Sequence, residues 1–466
     1  MVEARHAHSG PAPFPTLPAP LPAVGSRVGS RRRFGGNRLA YGVAALATVG
    51  VFGPYTSQAG IRTEQIVVYS LLLAGLLSGR RLRVTAVGAL LVALLVVELL
   101  IAVVGGSAPT RVLTSVESGS VLAGLDNLLL PLAALALALM LASSGADLRR
   151  LLRTVCTVLI VAMCLNTILC GISLQYNITP LLEVFWENNT AGESVAARAA
   201  QMGRLTGIFN QPAEGGALYS LALLAAIYRY RDSRFAFVVT TTLLTIGGIL
   251  SVSKIFLMIG LPIALWQLVR SFGIVGARLW ALPSALVLVM VAGQYGLLPP
   301  WIGIDYLTRL LRPTGGGSDL VGFYTAGRLG EAPTLRYVWE IVLDASPWFG
   351  LGAGGVAAAY DNGWVEALAI AGLVGVLIYT AVLGCLVAAW LTRRSALDRP
   401  TSRLASGLII VLLGASLGLP VLTANRVATI AWLLIGLLLL TPTTLQPPTG
   451  RGRGGSGRTG PTRRGG

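Results

Sequence analysis

Charge is scarce in this sequence, and so are the residues that most often do chemistry with it. Only 12% of the 466 residues are charged, against roughly 25% in ordinary soluble domains. Lysine occurs once, at Lys254, among 36 basic residues. Histidine occurs only at His6 and His8, in the N-terminal tail, which excludes any mechanism needing an imidazole in a helix or an internal loop. The four cysteines (Cys156, Cys164, Cys170 and Cys385) lie inside apolar runs and form no C-x-x-C pair. Core packing is therefore their expected role, and no redox compartment follows from them.

What fills the chain instead is apolar. Hydrophobic residues make up 54% of it, the mean hydropathy is +0.73, and the apolar residues come in runs of membrane-spanning length. The formal charge of +17 does not indicate a nucleic-acid partner, because the arginines sit mostly in short loops between those runs, where they orient helices. The runs predict about twelve transmembrane helices, at 39–55, 65–79, 84–104, 121–142, 154–174, 213–228, 235–252, 255–269, 279–298, 364–391, 404–420 and 426–441. The expected fold class is thus all-α, a polytopic integral membrane domain at 39–442. The Pro-, Gly-, Ser- and Arg-rich stretch 1–38 and the Gly/Arg/Pro-rich stretch 443–466 are expected to be disordered cytoplasmic tails. Ser30-Arg31-Arg32-Arg33-Phe34 resembles a twin-arginine export signal, but with eleven further spans behind the first it reads better as a cytoplasmic anchor.

Charge asymmetry supplies an orientation. With both termini cytoplasmic, 26 of the 36 basic residues fall inside and ten outside, in keeping with the positive-inside rule. Most acidic residues fall outside. The localisation implied is the inner membrane, with two long extracytoplasmic loops at 175–212 and 299–363 and short inner loops. Function is expected where irregular polar backbone gathers, which is the outer face.

The outer cations are Arg62, Arg111, Arg198, Arg204, Lys254, Arg309, Arg312, Arg328, Arg336 and Arg426. Arg62, Arg111 and Arg198 read as solvated or snorkelling anchors. The others stand in patterns that look ordered. Arg204-Leu205-Thr206-Gly207-Ile208-Phe209-Asn210-Gln211-Pro212 enters a span, with Glu214 at its start. Ser251-Val252-Ser253-Lys254 marks a tight turn. Leu335, Val338, Trp339, Val342 and Leu343 recur at helical spacing, so 335–346 is expected to be a short amphipathic helix carrying Arg336. Pro347 stops it, and Gly350-Leu351-Gly352-Ala353-Gly354-Gly355 is expected to form a flexible turn. That run follows a helix rather than a strand, which rules out a dinucleotide loop. Asp361-Asn362 then opens a span, with Asp361 expected at the helix N-cap and Glu366 in the first turns, where an acid needs a wet cavity or a cation. Glu98 and Asp126, inside spans, are expected to partner outer arginines.

In this order, the segments resemble the O-antigen ligase and polymerase family of bacterial envelope glycan enzymes, over roughly residues 200–440. The matching elements are Arg204 to Pro212, the Ser253-Lys254 turn, the helix from Arg336 running into the Pro347-to-Gly352 turn, and Asp361-Asn362 leading to Gly375. The resemblance implies metal-independent inverting glycosyl transfer of the GT-C type, using undecaprenyl-diphosphate-linked sugars as donor and acceptor and no cofactor. Arg204, Lys254, Arg328, Arg336 and Arg426 would then hold the diphosphate, and Asp361, Glu366 or Glu214 would be the general base. Flippase or chain-length proteins are the implied protein partners. The ligases of the family carry a histidine where Asp361 stands here, so the resemblance leans to the polymerases. A ligase that passes a lipid-linked glycan to another acceptor, a lipid-linked glycan flippase or transporter, and a structural membrane scaffold are the other readings. The outer-loop aromatics Trp186, Trp301, Tyr324 and Trp364 are expected to anchor at the interface.

Overall fold

The computed structural model describes residues 33–56, 61–79, 84–105, 121–186, 194–272, 333–355, 362–423 and 425–440. Regular structure among them is helical, apart from one isolated bridge between Tyr55 and Arg62. The helices are α1 (Arg33–Gly50), α2 (Thr63–Leu77), α3 (Ala86–Gly105), α4 (Val121–Ser143), α5 (Leu148–Ser173), α6 (Thr179–Leu182), α7 (Val195–Gln201), α8 (Pro212–Arg229), α9 (Arg234–Leu250) and α10 (Leu261–Phe272), then α11 (Pro333–Ala345), α12 (Gly363–Arg393), α13 (Arg399–Ala415) and α14 (Asn425–Leu438). Helices thus lie over eleven of the twelve expected segments, and 279–298 falls outside the described residues. Four of them are long and apolar enough to cross a membrane: α3, residues Gly124–Ser143 of α4, α5 and α12. In α3 only 28% of the apolar window is buried, and Leu90, Val97, Leu100 and Val103 point outward. A surface of that kind suits lipid rather than water.

The centre of the bundle is built on α8 and α14. Nearly every residue of α8 from Pro212 to Ile227 is buried, and so is α14, whose Trp432 donates its indole N–H to the Leu422 carbonyl at 2.9 Å. The loops gather at two ends. At one, the Tyr55 amide meets the Val184 carbonyl, the Leu205 amide meets that of Leu250, and the Gly363 amide meets that of Ser416. At the other, Arg149 faces Asp398 and the Thr85 amide meets the Leu440 carbonyl. The described residues of the polar segment 175–212 lie at the first end.

The glycine run after Pro347 is not a flexible turn. Inside α12 the helix breaks at Ala371 (φ −131°) and Gly372 (φ +62°, ψ −151°). The Pro347–Gly352 segment fills the break: the amides of Leu351 and Gly352 donate to the carbonyls of Ala369 and Ile370, and those of Leu373 and Val374 donate to Pro347 and Trp348. Four inter-segment bonds replace the lost helical ones, which is how broken backbone at membrane depth stays satisfied. Gly372 is required twice, by its positive φ and because a Cβ would run into the Trp348 backbone.

The amphipathic helix is present as α11. Val338 and Val342 pack on Leu351, Val365, Leu368 and Ala369. Trp339, expected on that stripe, is exposed, as are Trp348 and Phe349, because α11 buries only one narrow side. Aromatics so placed suit a membrane–water interface.

Candidate functional site

Local sequence dictates how the Arg204–Pro212 segment is held. Asn166, in the apolar middle of α5, donates to the Thr206 carbonyl at 3.3 Å and accepts from the Ile208 amide at 2.9 Å. It also donates to the Tyr219 hydroxyl of α8 at 3.0 Å. Gly207 adopts φ +61° beneath it, and a Cβ there would collide with the Asn166 amide. An asparagine in a span is costly unless bonded in this manner.

The Ser251–Lys254 turn packs against the same segment. The Arg204 guanidinium donates to the Val252 carbonyl at 3.4 Å. Val252 has φ +44°, the sole non-glycine with positive φ among the described residues. A β-branched residue in that region is strained, and such strain persists only where packing enforces it. Here the packing is Gly216 of α8, at which a Cβ would overlap Ser253. Lys254 follows on the same turn, half-buried.

Arg426 ties these parts to the start of the chain. It is 2% exposed and donates to the carbonyls of Ile208 (2.5 Å), Phe185 (3.1 Å) and Gly53 (3.2 Å), with its guanidinium over the Phe209 ring. Its Nη donors are thus engaged with backbone, so in this geometry Arg426 fastens the site.

The arginine read as a solvated anchor, Arg62, is instead buried and paired. It lies 2.9 Å from Glu64 and 3.3 Å from Asp126. Gln65 and the Tyr69 hydroxyl also donate to Asp126. Burial opposes the charge on Arg62, but Glu64, Tyr55, Asp126 and Glu214 together outweigh it and hold its pKa above the ordinary arginine value. Glu64 in turn feels Arg426 and Glu214. Glu214 is 5% exposed, so this acid sits inside one buried network of cations and carboxylates, with Tyr55 bonded to Asn210 at its edge. Asp126 does partner Arg62; among the described residues no arginine is paired with Glu98.

Glu366 belongs to a neighbouring group. Thr423 donates to its carboxylate, and it shares electrostatic contact with Glu98 of α3 and Tyr379 of α12. The N-cap of α12 is Asn362 rather than Asp361: its side chain accepts from the amides of Trp364 (2.8 Å) and Val365 (3.4 Å). Trp364 is not an exposed anchor either, but stacks edge-on against Tyr379 at 5.2 Å between centroids. The α13–α14 turn joins the two groups, reaching Glu366 through Thr423 and Ile208 through Arg426.

Of the expected site residues, the structure brings Arg204, Lys254, Glu214 and Arg426 to one end of the bundle and sets Glu366 in the adjoining group. Arg336 lies on α11, and Arg328 and Asp361 fall outside the described residues. Neither the cavity at Ser173–Gly207 nor the one at Ile227–Leu404 is lined by Arg204, Lys254 or Arg426. Sequence reasoning missed Arg62, Glu64 and Asn166. The signals were there: Arg and Glu two residues apart at the mouth of a span, and an amide in an apolar run. No metal-binding cluster of acids, histidines or cysteines occurs among the described residues. No protein-family model matches the chain, and no curated protein does.

Proposed function

We propose that the chain is a multi-pass membrane glycosyltransferase that extends or transfers polyprenyl-diphosphate-linked glycans, with polymerisation the favoured activity. In this proposal the shorter helices complete about twelve crossings, both termini are cytoplasmic, and the Arg204/Lys254 end faces away from the cytosol. One observation carries it. The Arg204 segment, the Ser251–Lys254 turn and Arg426, far apart in sequence, are joined by direct bonds at the end of the bundle that also holds the buried network of Arg62, Glu64 and Glu214.

The chemistry asked of such a site is a displacement at an anomeric carbon. A hydroxyl of the acceptor glycan forms the new C–O bond while the bond to the lipid diphosphate breaks. The hydroxyl proton passes to a carboxylate, and the diphosphate departs with the electron pair. Fixed cations stabilise that developing charge. Arg204 is suited by its planar fork of donors and Lys254 as a point charge. Arg328 and Arg336 are the further cations the family resemblance offers. Glu214, buried within electrostatic reach of Arg62 and Glu64, is the favoured base, with Asp361 and Glu366 behind it.

A transporter or flippase is the second reading, favoured by the broken helix α12 beside the buried acids Glu98 and Glu366, since discontinuous helices line many transport sites. Deleting the gene and analysing envelope and secreted glycans separates the readings. Single repeat units without long polymer support the polymerase, and unattached polymer supports a ligase. Lipid-linked units trapped in the inner leaflet support a flippase and overturn the transferase.

A further inference from the structure

Behind the Arg204 segment lies a cavity of about 480 Å³, between the C-terminus of α5, helices α6 and α7, and Leu205–Gly207. That is within the roughly 300–1,000 Å³ of small-molecule sites. Among the described residues, none that lines it carries a charge. Its polar side chains include Gln175, Asn177, Thr179, Gln201 and Thr206, with Tyr176 exposed beside them. Trp186 forms a fixed wall, 3% exposed, its indole N–H held by the Gly207 carbonyl at 2.9 Å.

Thr206 is the telling residue. It is 2% exposed, it lines the cavity, and its hydroxyl has no hydrogen-bond partner. A buried hydroxyl left unmatched is a cost to the fold, and Thr206 is the one among the described unmatched hydroxyls that borders this cavity. Amides that both donate and accept, a waiting hydroxyl and aromatic faces suit a ligand dense in hydroxyl groups. A phosphate would call for a cation in the lining, and an acyl chain would leave the amides unmatched.

We infer that this cavity binds a short neutral saccharide, the sugar portion of the lipid-linked substrate. The assignment to substrate rests on the transferase function proposed above. The geometry links the two sites through one stretch of backbone: Leu205, Thr206 and Gly207 line the cavity, while the flanking Arg204 binds Val252 and Ile208 accepts from Arg426. Sugar on one side of the segment and diphosphate on the other would bring the two ends of a glycosyl diphosphate within reach of a single wall.

Saturation-transfer NMR on the full chain in lipid nanodiscs tests this, with maltose, cellobiose, lactose and diacetylchitobiose as probes. Nanodiscs avoid maltoside detergents, whose headgroup is itself a disaccharide. At least one probe should receive saturation, and its signal should fall fivefold or more in Thr206→Val and in Asn177→Leu. The valine is nearly isosteric and removes a hydroxyl that bonds nothing, so folding should hold; thermal unfolding checks it. Lys254→Ala should keep the sugar signal while losing transfer; sugar binding by a wild-type chain that transfers nothing would sink the transferase and leave this site standing. Silence from all four probes, or an unchanged signal in both folded variants, overturns the saccharide site.

Discussion

The two ends of this bundle use arginine in opposite ways. At the end carrying Arg149 and Arg150, the charges face solvent or pair loosely: Arg149 lies 3.6 Å from Asp398, and Arg150 lies 3.5 Å from Asp147 with side chains 72% and 52% exposed. Such pairs contribute about 0–1 kcal/mol. At the other end Arg62 and Arg426 are buried, Arg62 against neighbouring Glu64 and distant Asp126, and Arg426 against carbonyls from distant parts of the chain. A buried charge is retained only where its partners are complete. The same residue type is thus an anchor at one end and a structural element of a site at the other, and composition alone cannot tell them apart.

The contrast can be broken by mutation. Arg62→Leu strands Glu64 and Asp126, so it should destabilise the fold by about 3–5 kcal/mol, read as a lower unfolding temperature and a lower level in the membrane. Replacing Glu64 by Leu in the same chain should recover part of that loss. A wild-type unfolding temperature for Arg62→Leu would mean the pairs are not a buried unit. Gly372→Val comes next: backbone strain alone should cost roughly 1–3 kcal/mol, before the overlap with Trp348 is added, and hydrogen exchange at Leu373 and Val374 should quicken. Unaltered exchange there would argue that the helix is continuous in the membrane. Glu214→Gln should slow transfer while lipid-linked substrate still binds, and equal turnover would remove this acid as the base. Arg150→Ala should change unfolding by less than about 1 kcal/mol and leave transfer untouched.

Much of the architecture was legible because it follows from apolar runs. Hydropathy and helix-length arithmetic found the segments that became helices, and the spacing of Val338 and Val342 gave α11. What escaped was set by tertiary packing. The break at Ala371–Gly372 is invisible in a run as apolar as α12, because its stability comes from carbonyls and amides of Pro347–Gly352. The pairing of Arg62 depends on Asp126, sixty-four residues away. Asn362 took the cap expected of Asp361, since either residue can cap and only backbone geometry selects one. For the candidate site, motif reading named Arg204, Lys254 and Glu214, which fall at one end of the bundle, but it could not reveal that the Arg426 donors are engaged with three carbonyls.

The most direct measurement is glycan transfer by the purified chain in nanodiscs, supplied with lipid-linked oligosaccharide extracted from its source cells. Elongated glycan and free polyprenyl diphosphate should appear together. Arg204→Ala should lower the rate by about 10²–10³-fold, the loss typical of removing one donor to a developing anion, with Arg150→Ala at the wild-type rate. No elongation by the folded wild-type chain, or an Arg204→Ala chain as fast as wild type, would contradict a diphosphate-holding site at this end of the bundle.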